Sequence, residues 1–191
     1  MKKSVIILAA AILAATSAAM LSGCGSGETA NGGADATAAA SSQTEQSSAG
    51  SDTKAVIDAK DVVFSFNGVD VELNSDADAA VAALGEANDV SSQLSCHGEG
   101  DDKTYTYDGF VLNTYPLEGK DRVLEIVINS AGIPTSKGVE VGASAEDVKA
   151  AYGEDFREVG LYYAYDAGDG KSLQFFIEDG TVSEIDYYYN V

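Results

Sequence analysis

The sequence predicts an α+β domain of two tandem repeats, each a short helix followed by antiparallel strands. Three observations carry that expectation. A helix signature closing on glycine occurs twice, over 76–85 and 145–153. Strand-like segments follow each copy and match one another at an offset of about 60 residues, the mark of an internal repeat. An Asn-Gly hairpin precedes both copies, so the folded part spans 61–191: hairpin 61–73, first repeat 74–130, second repeat 138–191.

The chain opens on a basic Met1-Lys2-Lys3, then an apolar run from Val5 to Ala19. That run is short of the about 20 residues a spanning helix needs, and it closes in small residues as a secretory leader does. Leu21-Ser22-Gly23-Cys24 comes next and resembles the bacterial lipobox. The resemblance implies that 1–23 is a lipoprotein signal peptide and that the Cys24 thiol receives a diacylglyceryl group and becomes the N-terminus. One acyl chain binds a membrane marginally. Two chains, at about 0.8 kcal/mol per buried methylene, hold firmly. The expected location is the outer leaflet of the bacterial cell membrane, with the protein outside the cytoplasm. This covalent lipid apart, no cofactor is expected.

Residues 24–60 contain Gly, Ser, Ala, Thr, Gln and scattered acids, with no aromatic residue. Such a stretch buries too little apolar area to offset its ordering entropy. It is expected to be a disordered tether reaching roughly 30–36 Å at coil dimensions.

The 31 acidic residues outnumber the 11 basic ones, for a formal charge of −20. This argues against nucleic-acid binding, which needs Lys and Arg on phosphates. It also opposes lying flat on anionic lipid, so the domain is expected to stand off the membrane. Of the two cysteines, an acylated Cys24 leaves Cys96 without a partner and the fold without an internal disulfide.

In the folded part, Val62 to Phe66 and Val69 to Leu73 flank Asn67-Gly68, the dipeptide suited to a type I′ turn. Ser144 and Asp147 have capping-box spacing, and Ser75 with Asp78 repeats the pattern more loosely. Gly85 and Gly153 end the two helices. Tyr105-Thr106-Tyr107-Asp108 matches Tyr163-Ala164-Tyr165-Asp166, Phe110 to Tyr115 matches Ser172 to Ile177, and Val123 to Ile128 matches Val182 to Tyr187. The first copy carries a longer excursion around Cys96 to Lys103, and Asn129 to Gly138 joins the copies.

The stretch Gly138-Val139-Glu140-Val141-Gly142-Ala143-Ser144-Ala145-Glu146-Asp147-Val148-Lys149-Ala150-Ala151-Tyr152-Gly153-Glu154 resembles the helix-bearing start of a repeat unit. That unit occurs in the β-lactamase inhibitor protein family and in small outer-membrane assembly lipoproteins. Paired halves with a stretch like Asp102-Lys103-Thr104-Tyr105-Thr106-Tyr107 are similar to those of uncharacterised Gram-positive lipoproteins. The resemblance implies helices on one face of an antiparallel sheet, the other face open, and an inhibitor-like or assembly-like action on another protein.

Strand alternation then puts Leu173, Phe175, Ile177, Leu124, Ile126 and Ile128 toward the helices. Gln174, Phe176, Glu184, Asp186, Tyr188, Tyr115, Glu125 and Val127 would point outward. All ten tyrosines lie beyond residue 100, and Tyr is enriched at interfaces because it offers rigid area with a polar tip. Tyr115, Tyr162, Phe176 and Tyr188 are therefore the candidate partner-binding residues.

Enzyme chemistry is not expected. No nucleophile elbow, phosphate loop, zinc-protease helix or dinucleotide fingerprint is present. Cys96-His97 suggests a nucleophile and base, but neighbours on a strand point to opposite faces, and two ligands fall short of a zinc site. Cys96 thus reads as structural or buried, and no metal is expected there. Glu99, Asp101, Asp102, Asp166, Asp169, Glu178 and Asp179 could attract calcium, yet the EF-hand alternation is missing. The leading expectation is a membrane-anchored lipoprotein that binds another protein. The alternatives are a passive envelope spacer and a small-ligand or calcium-binding accessory module.

Overall fold

The computed structural model describes residues 56–191. The expected leader, Cys24 and the expected tether up to residue 55 lie outside them. A short 3₁₀ turn, Ala59–Val62, leads into β1 (Val63–Phe66) and β2 (Val69–Glu72). Then follow α1 (Ala77–Leu84), β3 (Asp89–Leu94), β4 (Asp101–Tyr107), β5 (Phe110–Leu117) and β6 (Lys120–Ile128). The same order recurs as α2 (Ala145–Tyr152), β7 (Arg157–Val159), β8 (Tyr162–Gly168), β9 (Lys171–Glu178) and β10 (Thr181–Tyr189). β1 and β2 form a separate hairpin, and the rest form one sheet in the order β3-β4-β5-β6-β10-β9-β8-β7, antiparallel at every pairing.

The α+β expectation is corrected by these proportions. Strands take 49% of the described residues and helical segments 15%, so the fold is β-rich. Each α-helix has eight residues, about 12 Å of length, too little to make a layer of its own. Two edge strands also appear where the sequence shows no hydrophobic alternation. All of Asp89–Leu94 is exposed, as is all of Arg157–Val159. Such strands exist because β4 and β8 offer them a free ladder.

Local chemistry accounts for the turns and caps. Asn67 and Gly68 both have positive φ, at 51° and 82°, as a type I′ hairpin turn requires. Asp179 and Gly180 do the same between β9 and β10, at 51° and 77°. α2 carries a full capping box, with Ser144 Oγ accepting from Asp147 N at 3.1 Å and Ser144 N donating to Asp147 Oδ2 at 3.0 Å. α1 is capped by Asp76, whose Oδ1 accepts from Ala79 N at 3.1 Å, and not by Ser75.

The core lies on one side of the large sheet, between it and the helices and hairpin. Phe110, Leu112, Ile126, Ile128, Leu173, Phe175 and Ile185 are fully enclosed, each contributing about 1.5–3 kcal/mol of burial. Ile57 is buried and its N–H donates to Asp166 O at 3.2 Å, so the folded part includes residues ahead of 61. Asp61 is buried too. Lys137 Nζ at 3.2 Å and Ser136 Oγ at 3.0 Å compensate its charge and tie the hairpin to the loop between the halves.

One expected facing residue moves. The β5–β6 register shifts between Asn113 and Thr114, pairing Asn113 with Glu125 but Thr114 with Val123. Leu124 is the extra residue of that bulge and is only half-buried, while Val123 takes the enclosed position. A bulge resets the two-residue alternation, so counting back from Ile128 misplaces everything before it.

Candidate functional site

Directly paired residues of an antiparallel sheet share a face, and the registers therefore define the side away from the helices. Tyr162 of β8 pairs with Phe176 of β9, which pairs with Glu184 of β10. Asp186 pairs with Gln174 on one side and Val127 on the other, and Tyr188 with Glu125. None of these residues belongs to the core that takes in the helix and hairpin side chains.

The face has a built interior. Tyr162 and Phe176 rings lie 4.9 Å apart, and Tyr162 donates through its hydroxyl to Glu184 Oε1 at 2.9 Å. On the other flank, Thr104 Oγ1 donates to Asn113 Oδ1 at 2.9 Å, and Asn113 Nδ2 donates to Glu125 Oε2 at 2.7 Å. Between these arms sits Asp186, only 7% exposed, with its Oδ1 enclosed and unpartnered. Burial, then the charges of Glu125 and Glu184, push its carboxyl up to about 9. Burial and the bond to Glu184 raise the Tyr162 hydroxyl to about 12, and burial followed by Glu125 and Asp186 raises that of Tyr188.

Three of the four aromatic candidates, Tyr162, Phe176 and Tyr188, thus lie half-buried around one acidic group. The fourth does not join them. Tyr115 is 1% exposed; its hydroxyl donates to Asn74 Oδ1 at 2.8 Å and its ring stacks 6.1 Å from that of Tyr189. Neighbouring chain covers it at the end of β5, so it offers no surface. The acidic centre of the site, Asp186, stood in the sequence as one outward carboxylate among many. Its alternation between Ile185 and Tyr187 was the available signal, but the degree of its enclosure depends on strands far apart in sequence.

Cys96 also departs from expectation: it is exposed. The chain bends through Cys96–Gly100 instead of continuing β3, so neighbouring side chains are free of strand alternation. A cleft of about 260 Å³ lined by Ala59, Lys60, Val62, Val63, Glu72 and Lys171 opens beside the hairpin. It is smaller than the about 300–1,000 Å³ usual for small-molecule sites. No helix among the described residues is long and apolar enough to cross a membrane.

No family model matches this sequence, and no curated protein matches it. Among solved structures the chain is similar to the uncharacterised protein YfeY of Escherichia coli, at 16% identity and a TM-score of 0.38. The match covers 61% of this chain and 89% of that one. A likeness at that distance carries no functional argument.

Proposed function

We propose that this chain is a lipid-anchored extracytoplasmic protein whose sheet face away from the helices binds a basic protein noncovalently. The observation that carries the reading is the convergence of Tyr162, Phe176 and Tyr188 on the carboxyls of Glu125, Glu184 and Asp186 across four strands. Rigid aromatic rings provide contact area at small entropic cost. The acids select the partner's charge, in keeping with the −20 of the whole chain. A Lys or Arg head brought against Asp186 would favour its ionised form and exchange for its proton. Affinity should therefore rise with pH toward about 9 and weaken as salt is added. The anchor rests on the lipobox-like Leu21 to Cys24.

The test uses the full chain beside its Phe176→Ala, Tyr188→Ala double variant, compared for capture of envelope proteins once circular dichroism shows both folded. Support is a basic protein retained by the parent, released by salt, and bound at least about tenfold more weakly by the variant. Equal recovery by both chains, the behaviour of a passive spacer, would overturn the reading. The anchor has its own arm: Cys24→Ser should abolish acyl labelling and release the protein from membranes.

A further inference from the structure

We infer that Cys96, His97 and Asp102 form a binding site for a borderline-soft divalent metal of the zinc or cobalt type. It is independent of the sheet-face reading. Cys96 Sγ, an imidazole nitrogen of His97 and a carboxylate oxygen of Asp102 all lie within 4.8 Å of one another. Metal–ligand bonds of about 2.0–2.3 Å in tetrahedral geometry put donors roughly 3.3–3.8 Å apart. Small side-chain rotations close that gap. A thiolate, an imidazole and a carboxylate suit zinc and its neighbours, where an all-oxygen set would suit calcium. Three protein ligands leave one position for water or a partner's side chain.

The loop is constructed to hold this arrangement. Ser95 N donates to Gly100 O at 3.0 Å, closing the turn, and Ser95 Oγ accepts from His97 N at 3.0 Å. A Cβ at Gly98 would stand 2.9 Å from Pro116 O, so only glycine lets the loop lie against β5. The His97 ring sits 5.9 Å from that of buried Tyr115. Asp102, paired with Gln93 across the β3–β4 ladder, is held in place by the sheet. Its Oδ1 is enclosed without a hydrogen-bond partner, leaving that carboxylate with unused acceptor capacity beside the two other donors.

The experiment titrates cobalt(II) into the full chain carrying Cys24→Ser, so that Cys96 is the sole thiol. One equivalent should produce thiolate-to-cobalt charge-transfer absorption, and zinc should displace it. Cys96→Ser should abolish the band while leaving the metal-free melting temperature unchanged. His97→Ala and Asp102→Asn should each weaken binding at least as much as the roughly 10–100-fold that disturbing a ligand's support costs. Glu99→Gln, which removes a nearby exposed charge, should leave it unaltered. Absence of the band, its survival in Cys96→Ser, or equal losses for Glu99→Gln and Asp102→Asn would overturn the site.

Discussion

The two helix-plus-four-strand halves reach the same enclosure with different side chains. In the second half the helix fills its own space: Val148 and Tyr152 of α2 are buried, with the Tyr152 ring 5.5 Å from Tyr165 and 5.3 Å from Phe175. In the first half α1 buries only Ala77 and Ala80. The volume is made up by the hairpin, whose Phe64 and Phe66 rings each lie 4.9 Å from Phe110. A repeated pattern of elements thus needs no repeated packing. The requirement is a filled core, whichever segment supplies the rings.

The largest test of that equivalence is truncation of the two fillers. Phe64→Ala and Tyr152→Ala should each cost about 3–5 kcal/mol in urea unfolding. A much smaller loss for Phe64→Ala would show that the hairpin only rests on the first half.

The second test concerns the face that both halves build. Burial, with Glu125 and Glu184, raises the Asp186 pKa from 3.8 to about 9. The folded chain keeps a proton that the unfolded chain has lost. This contribution to stability is therefore greatest below about pH 4 and declines as pH rises toward 9. Asp186→Asn removes the titration, so thermal melts should lose part of that decline and the variant should melt above the parent at alkaline pH. Parallel curves for the two chains would contradict the enclosure of Asp186.

Smaller effects separate the helix ends. Ser144→Ala at the capping box of α2 should cost about 1 kcal/mol. Asp76→Ala at α1 should cost somewhat less, since no reciprocal bond accompanies it. The matched tyrosines complete the series. Tyr165 donates to Gly153 O at 2.8 Å, whereas Tyr107 reaches Gly85 O only at 3.4 Å. Tyr165→Phe should cost about 1 kcal/mol and Tyr107→Phe less than half of that. Tyr152→Phe should be neutral or slightly stabilising, because its hydroxyl is enclosed without a partner. A clear loss there would reveal a hydrogen bond through water.

The bent loop and the bulge show where sequence reading stops. Two neighbouring residues such as Cys96 and His97 converge because the chain leaves the strand there, and Asp102 joins them from the returning strand. Adjacency in sequence predicted divergence. Similarly, Leu124 and Val123 exchange places because a register shift with β5 is set by pairing between strands, and Tyr115 is covered because chain from elsewhere lies over it.

What the sequence by itself determined is local. Asn67-Gly68 makes a hairpin, Ser144 and Asp147 start a helix, Gly85 and Gly153 stop one, and related strand segments occur twice. Each depends on backbone preferences within a few residues. Tertiary structure decided the extent of the β-rich sheet, by adding β3 and β7 at the edges of a shared ladder. It also decided which aromatics remain accessible and which carboxylate keeps its proton. Those outcomes depend on burial and cross-strand register, which are sums over residues distant in the chain.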